Sequence, residues 1–432
     1  MRGKICWVLP LLLASTGVAM ADTDVTVYGY LDLSVDGVDQ GLKTLPAVTS
    51  NSSYIGFGAQ HDLTPDWKVV GQVETEADVA MTPSTKGSLG FRNSFLGFAS
   101  KTWGALKAGK NDTPYKIATA PFDPFANTVG DYNSIVGNTG GDNRVEFDAR
   151  LPHAVWYESP ALGPVTFSVL WSPGQNLAGD NSDFPLGEQL CSGSTPGSSG
   201  SGTLGSGGPI APTGASGFGE CNDGSFGDAY SGDVVFKSGG LLAIAAGELH
   251  HAVNRNGDNF TAGGVTFTSG THTEYAAKVG AGYNFGLVKV YALAEMLRRT
   301  STTSTFNERS HNTYYGSASW RFLPSDELSF AYGRAMRTPG NPGVANCGDP
   351  GSGTGNFKGD DAADLFALGV RHYFTPAVTM YLVGALDHNH KCAHYGLGES
   401  GHGIGYLSRG ATNETFTGKD ISAISLGATF RF

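Results

Sequence analysis

The chain has 432 residues, and its 63 glycines are about twice the usual share. No Gly-X-Y period accompanies them, which excludes collagen. Lys and Arg number 28 against 39 Asp and Glu, and the resulting net charge of −11 argues against nucleic acid as a partner, since phosphate binding requires a basic face. This length commonly corresponds to two or three domains, but β-barrels often exceed the usual domain size.

The first 21 residues have the features of a signal peptide. Arg2 and Lys4 form a short basic region, residues 5–14 are apolar, and residues 19–21 read Ala-Met-Ala, a small-x-small cleavage site. We therefore expect export and a mature chain that spans residues 22–432. A transmembrane anchor is the weaker alternative, because the apolar run is shorter than the roughly 18 residues that a spanning helix needs. No later stretch reaches that length, so a membrane location would require a β-barrel.

A strand with two different faces begins at Val25, in the segment VTVYGYLDLSVD. Polarity alternates along it with the period of 2 that is typical of a half-buried β-strand. The odd-numbered positions carry Val, Leu and Gly, whereas the even-numbered positions carry Thr, Tyr, Asp and Ser. A soluble sheet can show the same pattern, so this strand alone does not separate a soluble protein from a membrane protein.

Similar segments recur to the end of the chain and number about sixteen, an even count in the range of outer-membrane barrels. Most are longer than the strands of soluble proteins and suit a tilted crossing of a bilayer. We therefore predict an all-β protein, a transmembrane antiparallel β-barrel. The predicted strands are residues 25–36, 52–62, 67–79, 91–101, 105–110, 150–159, 165–172, 230–237, 241–253, 273–285, 287–298, 312–322, 327–337, 364–374, 378–388 and 421–432.

The connections between these strands alternate regularly in length. Outer-membrane barrels have short periplasmic turns and long extracellular loops, whereas a soluble β-sandwich has no reason to separate loop lengths in this way. The alternation is the main reason for preferring a membrane barrel. Short turns are predicted at residues 63–66, 102–104, 161–164, 239–240, 286, 323–326 and 375–377, and long loops at residues 37–51, 111–149, 173–229, 254–272, 299–311, 338–363 and 389–420.

Two of the long loops differ from the others. Residues 111–149 are acidic and aromatic, and a connection of this length inside a compact domain is usually functional. We expect this third long connection to fold inward and narrow the lumen. Residues 173–229 contain a Gly/Ser-rich run that is typical of a flexible coil. An interdomain linker is the alternative, but the run lies between two strands of one series, so we interpret it as an external loop.

Four of the five cysteines lie outside the predicted signal peptide. An even number in an oxidising compartment favours disulfides, and four cysteines allow three connectivities. We prefer Cys191–Cys221, which share one loop, and Cys347–Cys392, which lie in loops that flank one strand pair. A metal site is the alternative, because His388, His390, His394 and His402 surround Cys392. The HxHxC spacing has no second group of ligands elsewhere in the sequence to complete a site, so we predict neither a metal site nor a cofactor.

The order of several segments resembles the general porin family of Gram-negative outer membranes, which consists of trimeric, sixteen-stranded barrels. VTVYGYLDLSV resembles the opening strand of that family, and SSYIGFGAQHDLTPDWKVVGQVETE resembles its second hairpin. FRNSFLGFASKTWGALKAGK is similar to the hairpin that leads to the pore loop, RLPHAVWYESP to the return strand and LGATFRF to the closing strand. The resemblance implies a passive channel for ions and small hydrophilic solutes, surrounded by outer-membrane lipid and lipopolysaccharide. It also implies a homotrimer, for which the apolar face of the first strand is our candidate contact.

In this family, selection is electrostatic, between basic groups on the wall and acidic groups on the inserted loop. The resemblance implies that Arg92 and Arg150 are wall residues, with Arg92 placed by alternation on the same face as Ser94. Lys110 matches a further basic position, but it lies three residues from Lys107, so one of the two should face away. The family has an arginine where this chain has Tyr54, which weakens the expectation of strong anion selectivity.

The acidic candidates come mainly from the long loop. We expect Asp123 to be the first constriction group and Asp131 the second, and a solvated loop charge is the alternative for each of them. Glu74 is a weaker lining candidate on a strand, with Glu76 and Lys68 on the same face. The remaining loop candidates are Asp142, Glu146 and Asp148. Loop acids favour cations and the wall arginines favour anions, so the sequence predicts only mild selectivity.

Two other functional classes are alternatives to a channel. An enzyme needs a nucleophile, a base and an orienting group, and the sequence contains no GxSxG, HExxH or Walker motif. We therefore expect no catalysis. The runner-up is a surface barrel without a channel, such as an adhesin or a structural barrel, which the sequence does not exclude.

Overall fold

A computed structural model describes residues 23–39, 41, 44–77, 79–80, 89–90, 92–137, 147–173, 224–225, 228–255, 261–262, 265–266, 272–299, 310–337, 362–390, 393, 395–398 and 418–432. The predicted signal peptide and all five cysteines lie outside these residues, so the cleavage site and both disulfide pairs stay predictions. No helix among the described residues is long and apolar enough to cross a bilayer.

The protein is an all-β barrel with one short helix. Its strands are β1 (Thr23–Asp39), β2 (Thr44–Ser50), β3 (Tyr54–Asp62), β4 (Trp67–Glu76), β5 (Ser94–Ser100), β6 (Gly104–Asp112), β7 (Arg150–Glu158), β8 (Val165–Ser172), β9 (Gly224–Ser225), β10 (Asp228–Ser238), β11 (Leu241–Arg255), β12 (Thr261–Ala262), β13 (Val265–Thr266), β14 (His272–Asn284), β15 (Val288–Arg299), β16 (His311–Leu323), β17 (Asp326–Ala335), β18 (Ala363–Tyr373), β19 (Val378–Asn389) and β20 (Ile421–Arg431). The helix α1 is Pro114–Thr119, and short 3₁₀ helices follow at Ala120–Phe122 and Tyr132–Ser134.

Sixteen of the described strands pair antiparallel with their neighbours in chain order, and β20 closes the barrel on β1 from Tyr30↔Arg431 to Asp39↔Ser422. Strands β2, β9, β12 and β13 lie outside this count. Each of the sixteen corresponds to one predicted strand, so the predicted fold class is confirmed. Closure matters because a strand edge exposed to lipid would leave backbone N–H and C=O groups unpaired.

On one side, β1 pairs with two different strands. Its N-terminal half pairs with β3 from Thr23↔His61 to Tyr30↔Tyr54, and its C-terminal half pairs with β2 from Leu33↔Ser50 to Asp39↔Thr44. Between β2 and β3 the chain bends at Ser52, whose φ is 50°. Side chains replace the missing ladder, since Ser53 Oγ accepts from Asp32 N at 2.9 Å. The sequence placed residues 37–51 in a loop, so β2 was not predicted.

The two faces of each strand differ as the alternation predicted. In β1, Val27 and Val35 are 56% and 59% exposed on the outer surface, whereas Asp32 is 1% exposed inside the barrel. Exposed aromatic residues lie near the short-turn rim, where outer-membrane barrels carry an aromatic girdle. They include Trp67, Trp103, Phe285, Trp320, Phe374 and Phe432.

The long connection after β6 enters the barrel and begins with α1. Thr113 caps this helix by accepting from Lys116 N at 3.3 Å, and Pro114 occupies its first turn, where the missing N–H costs nothing. Below, "the inserted loop" denotes residues 113–137 with residues 147–149. The sequence predicted an inward connection but no helix within it, because a single turn gives no periodic signal.

Candidate functional site

The inserted loop packs against one part of the barrel wall, formed by β10, β11 and β14–β18, which we call the docking wall. Phe122 lies against Tyr291, with ring centroids 5.0 Å apart, and Ser317 Oγ donates to the carbonyl oxygen of Phe122 at 2.6 Å. Two wall glycines leave room for loop side chains. A Cβ at Gly280 would lie 2.6 Å from Phe122, and one at Gly333 would overlap Ile135. The wall therefore holds the loop by shape as well as by hydrogen bonds.

A buried ion pair anchors the far end of the loop to the docking wall. Lys278 Nζ on β14 contacts Asp148 Oδ1, and both side chains are fully buried. The second oxygen of Asp148 accepts from the Tyr132 hydroxyl at 2.7 Å and from Asn133 Nδ2 at 3.1 Å. The backbone of Asp148 has φ 65°, a left-handed conformation that Asn and Asp tolerate better than most residues. We call this pair the loop anchor.

Glu295 on β15 holds two further points of the loop. Its carboxylate accepts from the Tyr115 hydroxyl at 2.6 Å and from Gly137 N at 2.9 Å. Lys278 Nζ also lies 3.9 Å from the ring centroid of Tyr115, within cation–π distance. The first helix, the middle and the end of the loop are therefore tied to two neighbouring strands.

The two acids expected at the constriction are both buried. The oxygens of Asp123 accept from Phe125 N at 2.8 Å, from Tyr132 N at 3.1 Å and from the Tyr315 hydroxyl at 3.2 Å. Burial raises the pKa of Asp123 to about 6. With 8% exposure, this carboxylate is directed at the loop backbone and the docking wall.

Asp131 has the same kind of environment. Its oxygens accept from Asn127 N at 2.8 Å and Asn133 N at 2.9 Å, and it is 3% exposed. Burial and the neighbouring Asp123 charge raise its pKa well above the ordinary value. Sequence alone could not show these orientations, because they depend on how the loop docks. Asp142 and Glu146 lie outside the described residues.

The surface that the described loop leaves exposed is mainly apolar. Ile117 on α1 is 49% exposed, and Ala120, Pro121 and Ala126 are also exposed. Lys116 is partly buried and lies beside Asp112, with Nζ 3.3 Å from Oδ1. The loop therefore brings an apolar strip into the lumen, a feature that the acidic composition of residues 111–149 did not predict.

Arg92 lies on the wall away from the docking wall, next to lumen-facing groups of β3 and β4. Its Nε is 3.9 Å from Glu74 Oε2, and its guanidinium carbon is 4.7 Å from the ring centroid of Tyr54. Alternation was the wrong argument for this position, because Leu96 shares the parity of Ser94 and is 64% exposed on the outer surface. Residues 92 and 93 form a bend before β5 begins, so the alternation within β5 does not determine the direction of Arg92. Its role as a pore-lining residue stays a prediction.

Arg150, at the start of β7, belongs to a charged cluster at the root of the inserted loop. Its Nη2 lies 3.2 Å from Asp112 Oδ1, and Asn93 Nδ2 donates to Asp112 Oδ2 at 2.9 Å. With Lys116, two cations share one carboxylate. Asp112 and Lys116 were not predicted, although their positions beside the loop hinge could have drawn attention to them.

Of the two lysines on β6, Lys107 faces the lumen. It forms an ion pair with Glu158 at 2.8 Å and lies over the ring of Phe95 at 4.8 Å. Lys110 pairs with Ser94 in the register and has the parity of Leu106, which is 55% exposed outside. The chain bulges between Gly109 and Asn111 in its pairing with β7. The sequence predicted Lys110 as a lining residue and expected one of the two lysines to face away, without indicating which; the role of Lys110 stays a prediction.

A second polar network, which the sequence did not single out, lies inside the barrel near β1. Asp32 accepts from the Tyr381 hydroxyl at 2.8 Å and from the Tyr30 hydroxyl at 2.9 Å. Asp36 accepts from Thr49 Oγ1 at 2.8 Å. These acids lie on the polar face of the first strand, for which the sequence predicted alternating polarity but no individual role.

Among the described residues, no group of three or more His, Cys, Asp or Glu side chains is arranged to hold a metal ion. The histidines suspected in the sequence have other contacts. His388 Nδ1 lies 2.8 Å from Asp420 Oδ1, and His390 Nε2 lies 3.1 Å from Asp364 Oδ2. Cys392, His394 and His402 are outside the described part of the chain.

Comparisons with known sequences match this chain to porins. A family profile described as Gram-negative porin matches residues 9–391. An outer membrane porin protein of Bordetella pertussis is 26% identical over 181 residues, which are 38% of this chain and 46% of that protein. The chain thus aligns with about half the length of this curated relative.

Solved structures share the fold at low sequence identity. An anion-selective porin from Comamonas acidovorans has a TM-score of 0.64 at 16% identity, with 95% of this chain and 100% of that chain covered. The trimer form of OmpT from Vibrio cholerae has a TM-score of 0.56 at 14% identity, covering 95% and 99%. OmpF of Salmonella typhi, in complex with daunomycin, has a TM-score of 0.56 at 14% identity, covering 94% and 97%.

Proposed function

This chain belongs to the Gram-negative porin family, and on that basis we propose that it forms a water-filled channel in the outer membrane for passive diffusion of ions and small hydrophilic solutes. The observation that carries the proposal is a closed barrel of sixteen strands with a loop docked against one side of its interior. The apolar outer surface suits lipid, and the polar inner surface suits water. Catalysis has no part in the proposal.

We assign the selectivity of the channel to the charged groups at the root of the inserted loop and on the wall beside it. Arg92 with Glu74, and Arg150 and Lys116 with Asp112, bring three cations and two carboxylates to the root of the inserted loop. The buried carboxylates of Asp123 and Asp131 add little to the field in the lumen, because their charges are directed at backbone N–H groups. A mild preference for anions follows.

We also propose that the channel is a homotrimer that is embedded in outer-membrane lipid and lipopolysaccharide. The apolar outer face of β1 supports the contact between subunits, since Val27 and Val35 are more than half exposed in the single chain. A solved neighbour of the same fold, OmpT of Vibrio cholerae, is described in a trimer form.

Planar-bilayer recording of the purified protein tests the channel. Stepwise conductance increases are expected, and a salt gradient should give a small reversal potential of the sign set by anion preference. A folded, heat-modifiable barrel that produces no conductance steps would refute the proposal and support a closed surface barrel instead. A reversal potential of the opposite sign would refute the assignment of the wall charges while leaving the channel intact.

A further inference from the structure

A cavity of about 450 Å³ lies between the inserted loop and the docking wall, at the end of the strands that carries the short turns. Ile117 and Pro121 form its loop side, and Val235, Leu242 and Tyr291 form its wall side. Most of this lining is apolar, and Tyr291 is fixed by its contact with Phe122. A volume of this size is within the range of small-molecule pockets.

Two lysines extend into the same cavity from strands on either side. Lys237 on β10 pairs in register with Leu242, and Lys289 on β15 pairs with Asn284. Within the described part of the chain, neither ammonium group has an ion-pair partner. The acid of the lining, Asp233, already accepts from Ser168 N at 2.7 Å. The charges of the lining therefore sum to one excess positive charge.

We propose that this cavity is a subsite for an amphipathic organic anion, namely a monocarboxylate with an aromatic or branched aliphatic group. The carboxylate would lie between Lys237 and Lys289, and the apolar group would lie against Ile117 and Tyr291. One excess positive charge matches one carboxylate, and the apolar lining disfavours small, strongly hydrated anions. Lysines on flexible stems hold an anion less rigidly than arginines would, which suits a site that a solute must leave again.

This inference rests on the proposed channel, because the cavity lies beside the inserted loop inside the barrel. It adds a preference among solutes that neither Arg92 nor Arg150 explains, since neither residue lines the cavity. The exposed apolar strip of the loop also supports this preference, because Ile117 belongs both to the strip and to the cavity lining.

Single-channel recording with benzoate, and with acetate as the matched small carboxylate, tests the subsite. Added on the short-turn side, benzoate should interrupt the current at concentrations where acetate does not. The double variant K237Q/K289Q should weaken apparent benzoate binding about tenfold, and each single variant less. I117T should weaken the benzoate effect and leave acetate unchanged. K68Q, which removes a lysine on β4 outside the cavity lining, should leave benzoate binding as in the wild type.

The outcomes separate the two proposals. Absence of conductance in the wild-type protein refutes the channel, and with it the subsite. Normal conductance with equal effects of benzoate and acetate refutes the subsite alone. An undiminished benzoate effect in K237Q/K289Q also refutes it, and so does an equal loss in K68Q, because the effect would then reflect general charge in the lumen.

Discussion

Replacing Lys278 by Met should loosen the inserted loop without opening the barrel. Lys278 and Asp148 are both fully buried, and the substitution leaves the Asp148 carboxylate with only the Tyr132 hydroxyl and Asn133 Nδ2 as neutral donors. Removing one partner of a buried ion pair costs about 3–5 kcal/mol. If that cost falls on the docked state, the ratio of released to docked loop rises by a factor of about 10² to 4 × 10³.

The double variant K278M/D148N separates charge from packing. Asn is isosteric with Asp, tolerates the left-handed backbone at position 148 and carries no charge to bury. We therefore expect it to restore most of the docking lost in K278M. Lys101, which lies exposed in a short turn, supplies the control variant K101M.

The assay is single-channel recording at constant voltage, with thermal unfolding of the detergent-solubilised protein in parallel. K278M should show frequent transitions between conductance levels, and K278M/D148N should return toward the steady current of the wild type. Equal current noise in wild type, K101M and K278M, with unchanged melting temperatures, would show that the pair does not hold the loop.

Four shorter predictions concern other parts of the molecule. Burial raises the pKa of Asp123 from an ordinary value of 3.8 to about 6, so the stability that protonated Asp123 contributes is lost as pH rises from about 4 through 6. The melting temperature should therefore be higher at pH 5 than at pH 7.5, and D123N should flatten that difference. Replacing both Arg92 and Arg150 by Gln should shift the reversal potential toward cation preference. Two unit charges about 4 Å apart in water interact by about 1 kcal/mol, so the cation-to-anion permeability ratio should change by up to about fivefold. An unchanged reversal potential would show that neither residue lines the constriction. Gly333→Val would overlap Ile135 and should destabilise loop docking by about 1–3 kcal/mol, seen as added current noise, whereas Gly316→Val, on the outer side of the neighbouring strand, should not. Val27→Asp should yield monomers on non-denaturing gels, and a persisting trimer would place the subunit contact elsewhere.

Sequence periodicity predicted the barrel well because each strand has to separate lipid from the lumen. The strand β2 was not predicted because it is only seven residues long and Pro46 interrupts it. Proline is acceptable there since β2 pairs only with β1, and an edge position does not require its N–H. Local sequence rules predict which face of a strand is apolar, but they do not predict that part of a long loop will pair with the neighbouring strand.

The site was less predictable than the barrel because its geometry depends on contacts between distant segments. For Arg92, a bend before β5 separates it from the alternation of that strand, so parity could not predict its direction. The orientation of Asp123 depends on Tyr315, which is 192 residues away in the chain. Likewise, nothing near Asp148 indicates that its partner would be a lysine on β14. Length and composition predicted that residues 111–149 are a functional loop. Which of its side chains are exposed depends on how the loop packs against the docking wall.

The docking wall also constrains the order in which the protein assembles. The inserted loop follows β6, yet its partners lie on strands that are made much later, and the bond from Ser317 to Phe122 joins residues 195 positions apart. Contacts of such long sequence separation form late in folding, because the chain between them must first be ordered. The loop can therefore reach its final place only after β14–β17 have joined the sheet. Before that stage, the inserted loop has no surface on which to dock.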